Sequence, residues 1–217
     1  MAKCIIICPL YRGECLEALT PGPGDLLLCA DGGYRPALRS GLTPDLVIGD
    51  FDTLPPPENG KVPLRFLSVH KDDTDLGVCI QEGRDRGYRE FLLAGCLGGR
   101  VDHTLACLQL MADGALRGES FRAVDALNDL TILAPGTYTL PRREGRLLSL
   151  LAFSEQVEGI TLQGTEWPLT DATLTQRYPL GISNVIMSQQ AALSFRTGLL
   201  LLDEAINQSP LAEGAKI

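Results

Sequence analysis

Several chemistries are excluded by what this chain has little of. It contains only two histidines, His70 and His103, so a histidine-rich metal centre is ruled out. Its seven cysteines, at positions 4, 8, 15, 29, 79, 96 and 107, form no CxxC pair. Zinc ribbons and thioredoxin-type redox sites both need that spacing. The cysteines lie mostly within apolar strand or helix patterns, as small buried hydrophobes of a reducing compartment do. Long apolar runs are also missing. The N-terminal run at 5–8 is too short for a signal peptide, and the run at 199–202 is far too short to cross a bilayer. A cytoplasmic protein with no membrane partner is therefore expected. Basic charge is scarce: 19 Lys and Arg stand against 27 Asp and Glu, for a net charge of −8. Non-specific nucleic-acid binding rests on neutralising phosphates with Lys and Arg, so no nucleic-acid partner is expected.

What remains is an ordinary globular balance, 45% hydrophobic and 21% charged, over 217 residues. That length allows one large or two small domains, and two patterns do divide it. Over the first part, short apolar runs at 3–8, 25–29, 45–48, 65–69 and 90–94 fit parallel strands buried on both faces. Between the last two, Leu76, Cys79, Ile80 and Gly83 fall on one helical stripe, and Leu105, Leu108, Ala112 and Ala115 do so after His103. Thr74 or Asp73 can cap the first helix and Asp102 the second. Strand–helix alternation predicts an α/β domain with a doubly wound, mostly parallel sheet.

After Asn128 helical periodicity disappears. Short strand candidates at 130–134, 137–140, 146–153, 159–162, 172–175, 184–188 and 191–196, with a further one at 199–203, are separated by turn residues. Closely spaced strands of this kind predict an antiparallel sandwich or barrel. The boundary is placed near Pro135-Gly136, giving domains 1–135 and 136–217.

Three acidic motifs carry the chemistry: Gly49-Asp50-Phe51-Asp52, Lys71-Asp72-Asp73-Thr74-Asp75 and Gly98-Gly99-Arg100-Val101-Asp102-His103. Each follows a strand candidate, and open α/β sheets bind ligands at the carboxyl ends of their strands. Carboxylates packed so closely repel one another unless a hard cation joins them. Mg²⁺ suits such a site, because it takes a few carboxylates plus phosphate oxygens. Lys71 and Arg100 place positive charge beside the acids, as a polyphosphate requires. In an extended segment, Asp50 and Asp52 would point to one side and Phe51 to the other. Gly98-Gly99 before a helix allows close approach of a phosphate to free N–H groups, though this is neither a P-loop nor a GxGxxG fingerprint. Each motif also has a plain structural reading: a solvated acidic turn, a well-capped helix, or a hydrogen-bonded histidine. Ala30-Asp31-Gly32-Gly33 repeats the acidic logic more weakly.

Taken in order, Ala30-Asp31-Gly32-Gly33, the 44–52 segment ending in Gly49-Asp50-Phe51-Asp52, Lys71–Asp75 and Gly98–His103 resemble the motif set of the thiamine pyrophosphokinase (thiamine diphosphokinase) family. Trp167-Pro168-Leu169 and Gly181-Ile182-Ser183-Asn184 add to the likeness, which spans nearly the whole chain. The resemblance implies an α/β domain followed by a β-sandwich, in a homodimer with sites at the subunit interface. It implies ATP and thiamine as substrates, Mg²⁺ as cofactor, and AMP and thiamine diphosphate as products. By the same resemblance Asp50, Asp52 and Asp75 are Mg²⁺ ligands. Lys71, Arg100 and His103 face the polyphosphate or nucleotide, while Asp31, Thr74 and Asp102 shape that pocket. Asp72 or Asp73 can accept the hydroxyl proton, with no single base assigned. Trp167, Ser183 and Asn184 are the thiamine-side candidates: an aromatic face for the thiazolium cation and a polar pair for the aminopyrimidine. A plain alternative has Trp167 capping the sandwich core and Ser183-Asn184 making a turn. Two positions depart from the family pattern, Thr53 where Ser is usual and Val185 where an acid often follows Ser-Asn. Two rival functions are another Mg²⁺-dependent pyrophosphokinase, for example on a hydroxymethylpterin, and a non-catalytic nucleotide- or thiamine-binding module.

Overall fold

The first strand, β1 (Cys4–Ile7), is wholly apolar and buried along its length, which in a sheet requires cover on both faces. It pairs in parallel with β2 (Leu26–Ala30) on one side and β5 (Glu90–Ala94) on the other. β3 (Leu46–Gly49) and β4 (Leu64–Phe66) continue the sheet beyond β2, and β6 (Ser120–Val124) lies beside β5. The order is thus β6-β5-β1-β2-β3-β4, all parallel. In the computed structural model, residues 2–52, 55–56, 62–68 and 73–207 are described. The chain divides into two compact units, Met1–Ala126 and Leu127–Ile217.

Period-2 alternation along β1 assigns its side chains to opposite faces. Ile5 and Ile7 join Leu19 of α1 (Leu16–Leu19) and Ala37 of α2 (Tyr34–Arg39) in one core cluster. On the other face, Gly83 of α3 (Asp75–Asp85) lies so near Phe91 and Cys4 that a Cβ there would come within 2.7 Å of the phenyl ring and 2.9 Å of the thiol. Gly114 of α4 (Val101–Leu116) similarly abuts the Phe121 ring, which stacks on Phe91 at 4.5 Å between centroids. Helices cover both faces, and the unit is doubly wound as expected.

The buried face of α4 differs from the predicted stripe. Cys107, Met111, Ala112, Gly114 and Ala115 are buried, whereas Leu105 is 54% exposed. The helix seats its smallest residues against Phe121, so the inward arc is set by close approach rather than by its leucines. β6, α1 and α2 were not anticipated. The two helices are too short for a periodic signal, and β6 carries a mid-strand arginine, Arg122.

The second unit is an antiparallel sandwich. One sheet has the order β12 (Gly181–Asn184), β9 (Arg146–Ala152), β14 (Leu200–Ile206), β7 (Asp129–Leu133). The other has the order β11 (Leu169–Thr175), β10 (Gln156–Gln163), β13 (Gln190–Phe195), β8 (Gly136–Pro141). Leu148, Leu150 and Leu202 from the first sheet share one core with Val157, Ile160 and Leu193 from the second. Full burial of each such side chain contributes roughly 1.5–3 kcal/mol. The strand expected at 184–188 lies earlier, at Gly181–Asn184. Its register shifts against β9 between those two residues, an irregularity that blurs the alternating pattern.

Candidate active site

The acidic motifs converge at the carboxyl ends of neighbouring parallel strands. β2 runs into a 3₁₀ turn, Asp31–Gly33, and β3 runs into Asp50-Phe51-Asp52. Asp31 adopts a left-handed backbone with φ 42°, a conformation Asp tolerates better than most residues. Its neighbours must be small. A Cβ on Gly33 would stand 2.2 Å from the Ile7 carbonyl oxygen, and one on Gly49 would stand 2.8 Å from the Asp31 Cα. The Asp31 carboxylate is thereby pressed into the edge of the sheet, and its Oδ1 is buried without a hydrogen-bond partner among the described residues. Burial raises its carboxyl above the ordinary range, and the nearby Asp75 and Asp50 charges push it further, against backbone hydrogen bonds from Gly32 and Phe51. A buried acceptor without a partner, flanked by two further carboxylates, suits a cation.

The Asp50-Phe51-Asp52 segment is not extended, which corrects the expectation of alternating side chains. Phe51 has φ 56°, and the Asp52 N–H turns back to Asp50 Oδ1 at 3.3 Å. Phe51 packs against the first unit's core and lies 5.1 Å from the Phe66 ring, so burying the phenyl group drives the turn. Asp52 is exposed and Asp50 half-buried.

Asp75 opens α3, which packs on β1, β2 and β3. Thr74 is the N-cap, its hydroxyl accepting from the Gly77 N–H at 3.0 Å. The Thr74 N–H donates to Asp73 Oδ1 at 2.7 Å. Thr74 therefore serves the helix, as capping chemistry predicts. Lys71 and Asp72 lie outside the described residues. Among those described, no group of three or more His, Cys, Asp or Glu is gathered closely enough to hold a metal by itself.

After β5 the chain turns through Gly98 and Gly99, at φ 80° and 64°, into α4. The N-cap is Arg100, with no side-chain cap. Asp102 does not cap the helix as expected. Instead it accepts from the Arg100 guanidinium at 3.1 and 2.6 Å and from the His103 N–H at 2.9 Å. This pairing lowers the Asp102 carboxyl, the Arg100 hydrogen bond contributing most. Arg100, Asp102 and His103 are all exposed.

In the second unit, Trp167 is 56% exposed beside a cavity of about 90 Å³ that is also lined by Leu150, Leu162, Leu174, Leu180 and Ile182. Asn184 is buried and holds that loop. Its Nδ2 donates to the Trp167 carbonyl at 2.7 Å, and its Oδ1 accepts from the N–H groups of Trp167 at 3.1 Å and Val185 at 2.8 Å. Its amide is engaged with backbone, so it positions the tryptophan. Ser183 is exposed at φ 61° within β12, not in the turn expected for the pair. Among the described residues no helix is long and apolar enough to span a membrane.

Comparison with known proteins accords with this geometry. Residues 23–119 match the family model "Thiamin pyrophosphokinase, catalytic domain", and residues 137–200 match "Thiamin pyrophosphokinase, vitamin B1 binding domain". The chain is 29% identical over 183 residues to the thiamine pyrophosphokinase of Bacillus subtilis, covering 82% of this chain and 86% of that one. The crystal structure of a thiamine pyrophosphokinase from Bacillus subtilis superposes with a TM-score of 0.85 at 26% identity, covering 94% of this chain and 99% of the other. That of the Geobacillus thermodenitrificans enzyme gives 0.84 at 26% identity, over 96% and 99%. With two family models matching in order across most of its length, this chain belongs to the thiamin pyrophosphokinase family.

Proposed function

We infer that this protein is a transferase that moves the pyrophosphoryl group of ATP to the hydroxyl of thiamine, giving AMP and thiamine diphosphate. The hydroxyl oxygen bonds to the β-phosphorus, the bond from that phosphorus to the α-bridging oxygen breaks, and AMP leaves. Such a transfer depends on positioning and charge neutralisation more than on covalent chemistry. The observation that carries the reading is the convergence of Asp31, Asp50 and Asp75 at the carboxyl edge of the parallel sheet, where Asp31 keeps a buried oxygen that has no partner among the described residues.

This acidic edge suits Mg²⁺, which Asp50, Asp52 and Asp75 would hold together with substrate phosphate oxygens, with Asp31 beside them. Mg²⁺ commonly takes one or two carboxylates and completes its shell with water and substrate phosphates, so a closed protein cage is not needed. When bound, it neutralises phosphate charge and acidifies the oxygens around it. The protein's own residues do the rest. Arg100 exchanges Asp102 for a phosphate oxygen, His103 borders the same helix start, and Lys71 adds charge from the preceding motif. Asp72 or Asp73 accepts the hydroxyl proton. In the second unit, Trp167 offers its exposed indole to the thiazolium cation, and Ser183 of β12 offers its hydroxyl to the aminopyrimidine. We place ATP and Mg²⁺ binding in the first unit and thiamine binding in the second, in a cytoplasmic homodimer. A two-fold pair is the commonest oligomer symmetry. The test is a substrate screen of the purified protein with ATP and Mg²⁺. Thiamine should give AMP, whereas a hydroxymethylpterin should not. AMP formation with the pterin alone would place the protein on a different substrate.

A further inference from the structure

One buried side chain next to the Asp31 turn lies outside the acidic motifs. Tyr34 follows the Asp31–Gly33 turn and opens α2. Its ring is 5% exposed and belongs to the same core cluster against which Phe51 packs. Its hydroxyl donates to the Pro55 carbonyl at 2.5 Å and accepts from Arg35 Nε at 3.1 Å. The Arg35 guanidinium lies 5.9 Å from the Tyr34 ring centroid. Pro55 stands just beyond Asp50-Phe51-Asp52 and is followed by Pro56. Neither proline has an N–H, so carbonyl oxygens are all this dipeptide can offer a partner. The relay from Arg35 N–H through the Tyr34 O–H to the Pro55 carbonyl polarises each bond in turn. One end of the relay adjoins the Asp31 turn and the other is the carbonyl of Pro55, three positions after Asp52 in the sequence.

We propose that Tyr34 is a positioning residue for the cation–nucleotide site, its hydroxyl holding the Asp50–Asp52 loop in place relative to Asp31. A ring without the hydroxyl keeps the packing and releases the loop. The inference rests on the reading of these carboxylates as cation ligands, and its test does not require turnover.

The experiment is a titration of Mn²⁺, a paramagnetic stand-in for Mg²⁺, followed by electron paramagnetic resonance in the presence of a non-hydrolysable ATP analogue. Wild type, Tyr34→Phe and Arg35→Ala are compared, with thermal melting of each. Loss of one neutral hydrogen bond should weaken Mn²⁺ binding about three- to tenfold in Tyr34→Phe, with a smaller loss in Arg35→Ala. Melting should change little in either variant, and the KM for thiamine should stay at the wild-type value. Unchanged Mn²⁺ affinity in both variants overturns the proposal. So does a loss that only follows the fraction of unfolded protein. If Tyr34→Phe does not fold, Arg35→Ala decides by the same criterion. Wild-type protein that binds Mn²⁺ but forms no AMP from ATP and thiamine would refute the proposed function and leave the positioning role standing.

Discussion

Replacing Gly49 by alanine tests how the acidic edge is built. Gly49 ends β3 and is not among the glycines with positive φ, so alanine can adopt its backbone and the cost is steric. The new methyl would lie 2.8 Å from the Asp31 Cα, 2.9 Å from its Oδ1 and 3.0 Å from its Cβ. The nearest atom is backbone and cannot rotate away, so the 3₁₀ turn must shift. Overpacking of this kind typically costs about 1–3 kcal/mol. In a protein of this size, each kcal/mol lowers Tm by about 2–4 °C. A shift of the carboxylate approaching 1 Å can reduce turnover by up to ~100-fold. The assay pairs thermal melting with steady-state kinetics across Mg²⁺ concentrations. Gly22→Ala serves as control, since a Cβ there meets only an ordinary contact at 3.6 Å. Gly49→Ala is expected to melt lower, turn over more slowly and need more Mg²⁺, while Gly22→Ala matches wild type. Wild-type melting and turnover in Gly49→Ala would refute the reasoning.

Asp50→Asn, Asp52→Asn and Asp75→Asn should each lower turnover by at least ~10- to 100-fold, the cost of losing even an outer partner of a metal ligand; near-normal rates in all three would remove the proposed ligand set. Asn184→Ala should destabilise the second unit by about 1–3 kcal/mol by leaving the Trp167 backbone groups unpaired, and should raise the KM for thiamine by freeing that loop. Ser183→Ala should raise the same constant without a stability loss, and an ATP defect in either variant would contradict the division of labour. Burial pushes the Cys4 thiol up to about 12 and raises Cys8, Cys29 and Cys79 as well, while a hydrogen bond with Cys107, followed by burial, raises Cys96. Thiolates react and thiols do not, so native protein at pH 8 should label slowly at these positions. The half-buried Cys15 should react first, which mass spectrometry of the labelled peptides can establish.

The parallel sheet was legible because strands covered on both faces are written as uninterrupted apolar runs; β1 and β5 fall where such runs predict them. α3 was equally clear, with Thr74 capping it as its hydroxyl suggests. β6 was hidden by the polar residues Ser120 and Arg122, and α2 by having only six residues. At the site, the order of the acidic motifs could be read, but backbone strain could not. Nothing in Gly49-Asp50-Phe51-Asp52 announces that Phe51 enters the left-handed region, because the cause is tertiary: a phenyl ring packed against the first unit's core. Asn184 illustrates the opposite case. Its amide suits a ligand's donors and acceptors as well as it suits a neighbouring backbone, and only the fold selects the backbone of Trp167.

A single transfer of pyrophosphate fixes the ratio of the products, so their stoichiometry distinguishes it from two successive phosphoryl transfers. Purified protein is incubated with ATP, Mg²⁺ and thiamine, and all nucleotides and thiamine esters are separated over the course of the reaction. AMP and thiamine diphosphate should appear together in equal amounts from the first time point, with neither ADP nor thiamine monophosphate preceding them. Formation of ADP with thiamine monophosphate, or no thiamine-dependent AMP at all, would contradict a single transfer.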